Sequence, residues 1–123
     1  MLTHQTTCEA SAPTMLGFVD VSDEIQAAIS ESGITDGRVT IMRPEPGCTL
    51  VVNEQETGLH ADVQATLRRL ELSNGSGAPP VGSASLVLPV VAGRVHLGTW
   101  QRILMLELEE PRARPLVIQV VGE

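Results

Sequence analysis

The strongest constraint on this 123-residue chain is a pair of aliphatic runs near its C-terminus, RILMLELEE at 102–110 and PLVIQVVGE at 115–123. Successive side chains of a strand point to opposite faces. Ile103, Leu104, Met105 and Leu106, and again Leu116, Val117 and Ile118, therefore leave neither face polar, which predicts strands covered on both sides. A short turn through PRAR (111–114) joins the two runs, and another turn at Ala92-Gly93 precedes them, between ASLVLPVV and RVHL. Connections this short imply antiparallel neighbours, so the C-terminal half reads as a β-meander.

The rest of the chain offers little to cover such strands. Residues 2–11 read as a polar edge strand, with MLGFVDV (15–21) as its more apolar continuation. In VSDEIQAAISESG, Ser22 is expected to cap a short helix, Asp23 and Glu24 suit its positive end, Ile25, Ala28 and Ile29 form its apolar stripe, and Gly33 stops it. GRVTIM (37–42) and CTLVVN (48–53) are β-branched runs joined by RPEPG, whose prolines and glycine force an irregular loop. Leu59, Val63, Leu67 and Leu70 recur at helical spacing in TGLHADVQATLRRLEL, a second amphipathic helix. SNGSGAPPVGS (73–83) has the composition of a flexible loop. Two short helices cannot cover both faces of the C-terminal strands, so a partner subunit is the expected second cover. The prediction is one α+β domain spanning residues 1–123.

Charge and cysteine content narrow the function. Eight Lys and Arg against 15 Asp and Glu give a net charge of -7, which repels nucleic acid and an anionic membrane surface. No apolar run approaches the ~20 residues of a spanning helix and the start lacks a signal-peptide pattern, so the reading is cytoplasmic. Cys8 and Cys48 stand in no metal-binding spacing and are expected as reduced thiols. His4, His60 and His96 are scattered: His60 reads as a surface residue of the second helix, and His96 as a strand residue packed by its ring. Gly-rich phosphate loops, a Ser-His-Asp order and HExxH are absent.

One short motif stands apart. Trp100, in a chain with one Phe and no Tyr, sits between Gly98-Thr99 and Gln101-Arg102 at the mouth of an apolar run, not inside it. That placement reads as positional, a pocket wall or an interface, because rings kept for core volume sit within the run, with ordinary core packing as the alternative. Arg94, Arg102, Arg112 and Arg114, half of the basic residues, cluster around this corner and the turn after the next strand. Arg is shaped for bidentate anion recognition, although pairing with Glu107, Glu109 and Glu110 is the favoured alternative.

Taken together, FVDVSDEI, SGITDGRVTI, Asn53-Glu54, SLVLPVVAGRVHLGTWQRI, EPRAR and QVVGE resemble the YjbQ-type family, also called secondary thiamine-phosphate synthase, over Phe18 to Glu123. The resemblance implies an α+β fold with mixed, largely antiparallel sheets, a homotrimer, and a histidine-lined site near the subunit boundaries. It also implies a site lined here by Glu45, Asn53, Glu54, Asp62, Gly98, Thr99, Trp100 and Gln101. The family's first site histidine falls on Glu45, with Pro46 and Gly47 in place of its hydroxyl residues, and the segment that carries its other two has become ELSNGSGAPPVGSA, which has none. Imidazole serves both as metal ligand and as proton carrier, so this loss implies a diverged, non-catalytic member without a transition-metal site. The alternative is a synthase joining a pyrimidine diphosphate to a thiazole phosphate. In it Glu45, Glu54 and Asp62 hold Mg2+ on the diphosphate, while the arginines bind phosphate oxygens.

Overall fold

The computed structural model describes residues 1–54, 57–74 and 82–123. Its elements, in chain order, are β1 (Leu2–Ala10), β2 (Phe18–Asp20), α1 (Ser22–Ser32), β3 (Gly37–Met42), β4 (Cys48–Glu54), α2 (Thr57–Asn74), β5 (Ser85–Val91), β6 (Arg94–Val95), β7 (Gln101–Glu107) and β8 (Arg114–Gly122). They build the α+β architecture expected. Five strands lie in the order β1-β8-β3-β5-β6 and three in the order β2-β7-β4, and every pairing described is antiparallel.

The two aliphatic runs are not neighbours in a meander. β8 pairs with β1 and β3, whereas β7 pairs with β2 and β4, so each run is the central strand of a different sheet. A central strand has no edge to solvent, which suits a run without a polar face. The sheets stack through one core in which Ile103 and Met105 of β7 meet Leu116, Ile118 and Val120 of β8, with Val39 and Ile41 of β3 and Ile25, Ala28 and Ile29 of α1. On the other face of β7, Leu106 packs with Leu16 and with Leu67 of α2, while Phe18, Val63 and Leu108 flank them. Ile103, Leu104, Met105 and Leu106 are all buried within one chain, so β7 needs no partner subunit as its second cover. The second sheet covers one face of β7, and α2 with Leu16 covers the other.

Local expectations met mixed outcomes. β1 is an edge strand, with His4, Thr6, Cys8 and Ala10 on its inner side, but Phe18–Asp20 belongs to the other sheet and does not continue it. Gly33 ends α1 in the left-handed conformation. Ser22 does not cap the helix: Val21 holds that place without a side-chain hydrogen bond, and the Ser22 hydroxyl instead accepts the Ile103 N–H at 2.8 Å. α2 is longer than a short helix, at 18 residues, and takes in Ser73 and Asn74 of the expected loop. Residues 75–81 of that loop lie outside the described residues, as do the side chains of Leu59 and Leu70. Ser83 bridges to Leu50. The Ala92-Gly93 turn closes the β5–β6 hairpin with both residues left-handed, φ 53° and 77°, as a two-residue turn requires.

Where the chain crosses from β7 to β8, Arg114 and Glu107 form a buried ion pair, their side chains 1% and 0% exposed. Arg114 Nε donates to Oε1 at 2.9 Å and Nη2 to Oε2 at 2.6 Å, while Nη1 reaches the Pro46 carbonyl at 3.1 Å. Nη2 also reaches the Gly47 and Glu110 carbonyls. The guanidinium thus ties both sheets to the RPEPG loop. Gly47, at φ +98°, has no room for a side chain, because a Cβ there would stand 2.7 Å from Nη2. Removing one member of such a pair strands the other charge without solvent. Arg114→Met is therefore expected to lower unfolding free energy by about 3–5 kcal/mol. Arg112→Met breaks the exposed pair with Glu45 and is expected to cost about 0–1 kcal/mol. Urea midpoints of the two variants check the contrast.

Candidate functional site

The far end of β7 carries the polar corner. Residues Gly98 to Gln101 form a turn in which the Gln101 N–H donates to the Gly98 carbonyl at 3.0 Å and the Gly98 N–H donates to Gln101 Oε1 at 2.8 Å. This leaves Trp100 79% exposed at the tip, too far out for core packing. Arg102 Nε donates to Asp20 Oδ2 at 2.6 Å and Nη2 to Asp23 Oδ1 at 3.4 Å. Asp20 Oδ1 accepts the Ser22 N–H at 2.9 Å. The end of β2, the start of α1 and the start of β7 are thereby fixed to one another. Burial raises the Asp20 carboxyl, but hydrogen bonds from Arg102 and Ser22, with the attraction of Arg102, outweigh it and leave the group below its ordinary value. The hydrogen bond to Asp20 holds Arg102 firmly protonated.

Between α1, β6 and this turn lies an open cleft of about 200 Å³, lined by Ser22, Asp23, Gln26, Arg94, Val95, Leu97, Gly98, Thr99, Gln101 and Arg102. Arg94 is exposed and has no hydrogen bond or ion pair among the described residues. The β4–β7 register sets Asn53 opposite Arg102 and Glu54 opposite Gln101, so the Asn-Glu pair adjoins the corner. Asn53 Oδ1 accepts the Glu54 N–H at 2.9 Å. Eight of the expected site residues, Asn53, Glu54, Arg94, Gly98, Thr99, Trp100, Gln101 and Arg102, thus converge.

Four do not. Glu45 lies before the opposite end of β4, where its carboxylate meets Arg112 at 3.2 Å. The ends of a strand as long as β4 are about 20 Å apart, so Glu45 cannot share a cation with Glu54. Asp62 is exposed on α2. Among the described residues no three His, Cys, Asp or Glu side chains are grouped to hold a metal ion. Arg112 is paired with Glu45, and Arg114 is buried with its donors engaged, so neither is free for an anion at the corner. The expected pairing with Glu107 is correct for Arg114, whereas Arg102 pairs instead with Asp20 and Asp23.

His60 is not a surface residue: its ring stacks on Phe18 with centroids 4.2 Å apart, and its Nε2 is buried without a partner. His96 is exposed just beyond β6, not packed by its ring, because the strand ends at Val95. His4 faces α1, 3.8 Å from Glu31. Both cysteines are free. Burial pushes both thiols up, with Glu24 adding to the effect at Cys8, which disfavours a thiolate nucleophile. The cleft therefore offers guanidinium and amide groups for binding, and its described lining holds no imidazole or thiol for proton transfer or attack. Sequence reading missed Asp20, Asp23 and Gln26. The only signal for them was their place in and beside the FVDVSDEI string, where charges at strand and helix ends pass for ordinary solvated residues.

The chain resembles known proteins along nearly its whole length. The family model for "UPF0047 protein YjbQ-like" matches residues 6–77 and 80–123. A UPF0047 protein of Archaeoglobus fulgidus is 31% identical over 119 residues, covering 85% of this chain and 90% of its own length. The UPF0047 protein YugU of Bacillus subtilis is 29% identical over 122 residues, covering 85% and 89%. Among solved structures, a protein of Sulfolobus solfataricus described as YbjQ-like and of unknown function superposes with a TM-score of 0.85 at 25% identity, covering 98% of each chain. A hypothetical protein of Aeropyrum pernix gives 0.83 at 28% identity, covering 97% and 98%. With the family model matched over most of its length and a UPF0047 relative 31% identical, the chain belongs to the YjbQ-like UPF0047 family.

Proposed function

We propose that this chain is a non-catalytic member of its family, a cytoplasmic homotrimer that binds a small anion in the cleft beside the Gly-Thr-Trp-Gln corner. One observation carries the anion: in a chain of net charge -7, Arg94 stands unpaired among the described residues beside Arg102 in a single cleft. A guanidinium without a counter-ion is an acceptor-seeking group, and Arg102, though paired with Asp20 and Asp23, keeps Nη1 free beside it. The lack of an imidazole or thiol in the described lining, and the separation of Glu45 from Glu54, support binding over catalysis. Two free thiols and the absence of a membrane-crossing helix among the described residues suit the cytoplasm.

The outer face of the five-stranded sheet supports self-association. Thr40, Met42, Val87, Val91, Val117 and Gln119 lie across it, with Met42 41%, Val87 60% and Val91 49% exposed. An exposed apolar patch bordered by Arg38 on the same face fits an interface core with a polar rim.

Three outcomes follow. Arg94→Ala is expected to weaken inorganic phosphate binding about tenfold in calorimetry, the loss of one charge-assisted contact; equal affinity refutes the site. Light scattering at micromolar concentration is expected to show a trimer, and Trp100→Ala to shift it toward smaller species at a cost on the order of 2 kcal/mol or more. A monomeric wild type sinks the assembly, and an undisturbed trimer in the variant sinks the role of Trp100. Expression in a strain lacking its thiamine-phosphate synthase is expected to give no growth, beside growth with a histidine-bearing relative; growth with this chain overturns the non-catalytic reading.

A further inference from the structure

Arg94 belongs to β6, a two-residue strand at the edge of the five-stranded sheet, paired on one side only through Val90–Val95 and Val91–Arg94. The outward backbone groups of an edge strand have no ladder partner and fray into water unless something replaces the missing strand. Gln26 of α1 replaces it. Its Nε2 donates to the Gly93 carbonyl at 2.9 Å, and its Oε1 accepts the Val95 N–H at 3.0 Å. The carboxamide thus pairs with the residues on either side of Arg94, as a peptide group of a neighbouring strand would. A further hydrogen bond from Nε2 to Ser30 Oγ at 3.2 Å orients the amide from its own helix. Gly93 is also held from the turn, its N–H donating to the Thr35 carbonyl at 2.9 Å.

The same hydrogen bonds decide what the cleft has left to offer. Gln26 is engaged with backbone at both amide atoms, and Gln101 Oε1 is engaged with the Gly98 N–H. The acceptors Asp20 and Asp23 already face Arg102. Among the described lining residues, the guanidinium of Arg94, Nη1 of Arg102 and Nε2 of Gln101 are donors without a partner, beside the Thr99 hydroxyl and one oxygen of the exposed Asp23. A lining that is donor-rich matches a ligand carrying several acceptor oxygens around a compact centre.

We infer that Gln26 is the positioning residue of the cleft: by clamping Gly93 and Val95 it presents Arg94 to a compact, acceptor-rich oxyanion. This rests on the anion-binding reading above and assigns the residue that makes the site specific. Gln26 itself touches no ligand and acts only through Arg94.

The test uses the full chain and inorganic phosphate as the probe, with four proteins: wild type, Gln26→Met, Arg94→Ala and the double variant. Methionine keeps the length of the stem and removes both clamping bonds. Gln26→Met is expected to weaken phosphate binding about tenfold. In the Arg94→Ala background the same change is expected to alter affinity less than about twofold, the coupling of a residue that acts through its neighbour. The Val95 amide is expected to exchange with solvent about tenfold faster in Gln26→Met, with the Ile29 amide in the core of α1 unchanged. Unchanged phosphate affinity in Gln26→Met overturns the inference, and so does an equal loss with and without Arg94, the mark of a merely structural role. A Val95 amide that stays as protected as in wild type overturns the clamp by itself, whatever phosphate does. Failure of the wild type to bind phosphate overturns the anion reading, and the inference with it, a result separable from the first two. Should Gln26→Met not fold, Gln26→Glu keeps the acceptor for Val95 and sets a carboxylate beside Arg94; it is expected to abolish phosphate binding, and wild-type affinity overturns the inference.

Discussion

The buried pairing of Arg114 with Glu107 is the interaction on which the two-sheet arrangement depends. Both side chains are withdrawn from water, and the guanidinium also serves the carbonyls of Pro46, Gly47 and Glu110. Charges so placed are tolerated only when nearly every donor and lone pair is satisfied. That requirement fixes the end of β7, the start of β8 and the RPEPG loop in one relative position. The chain passes between sheets at this point, β8 pairing with β1 and β3 and not with β7.

The opposite end of β7 uses the same chemistry in a wetter setting. Arg102 pairs with Asp20 and Asp23, yet its side chain is 39% exposed and Asp23 is 92% exposed. There the ion pair anchors a turn and leaves part of the guanidinium facing a cleft. One strand thus carries two arginine–carboxylate sites whose roles differ by solvent access alone. The dry one binds the fold together, and the wet one borders the open cleft.

Between these ends the core is almost entirely aliphatic, with Ile, Leu, Val and Met supplying its buried area and the single Trp held outside it. Shape in such a core comes from branched side chains packed in fixed rotamers, so specificity has to come from the polar junctions at its rim. Leu16 illustrates the coupling. It adopts a left-handed backbone at φ 61°, an unfavourable state for a leucine. Its N–H donates to the Glu107 carbonyl at 2.7 Å, its carbonyl accepts from Gln64 of α2 at 2.6 Å, and its side chain is buried under that helix. The residue that carries the buried ion pair therefore also helps to seat α2.

Sequence by itself determined the elements whose signals are local. The stripe of Ile25, Ala28 and Ile29 with Gly33 after it makes α1, and the Ala92-Gly93 turn makes the β5–β6 hairpin. The polar alternation of β1 marks an edge. Only tertiary structure decided which sheet each strand joined, because a period of two reports that a strand has a buried face and not what buries it. It also divided four arginines that look alike in the chain. Arg114 is in the core, Arg112 is paired on the surface, and Arg94 and Arg102 share a cleft with Asp23 and Gln26, Arg102 also pairing with Asp20. The partners of Arg102 lie 79 and 82 residues away in sequence, and an arginine's role follows from the solvent and counter-charge it meets after the chain has folded.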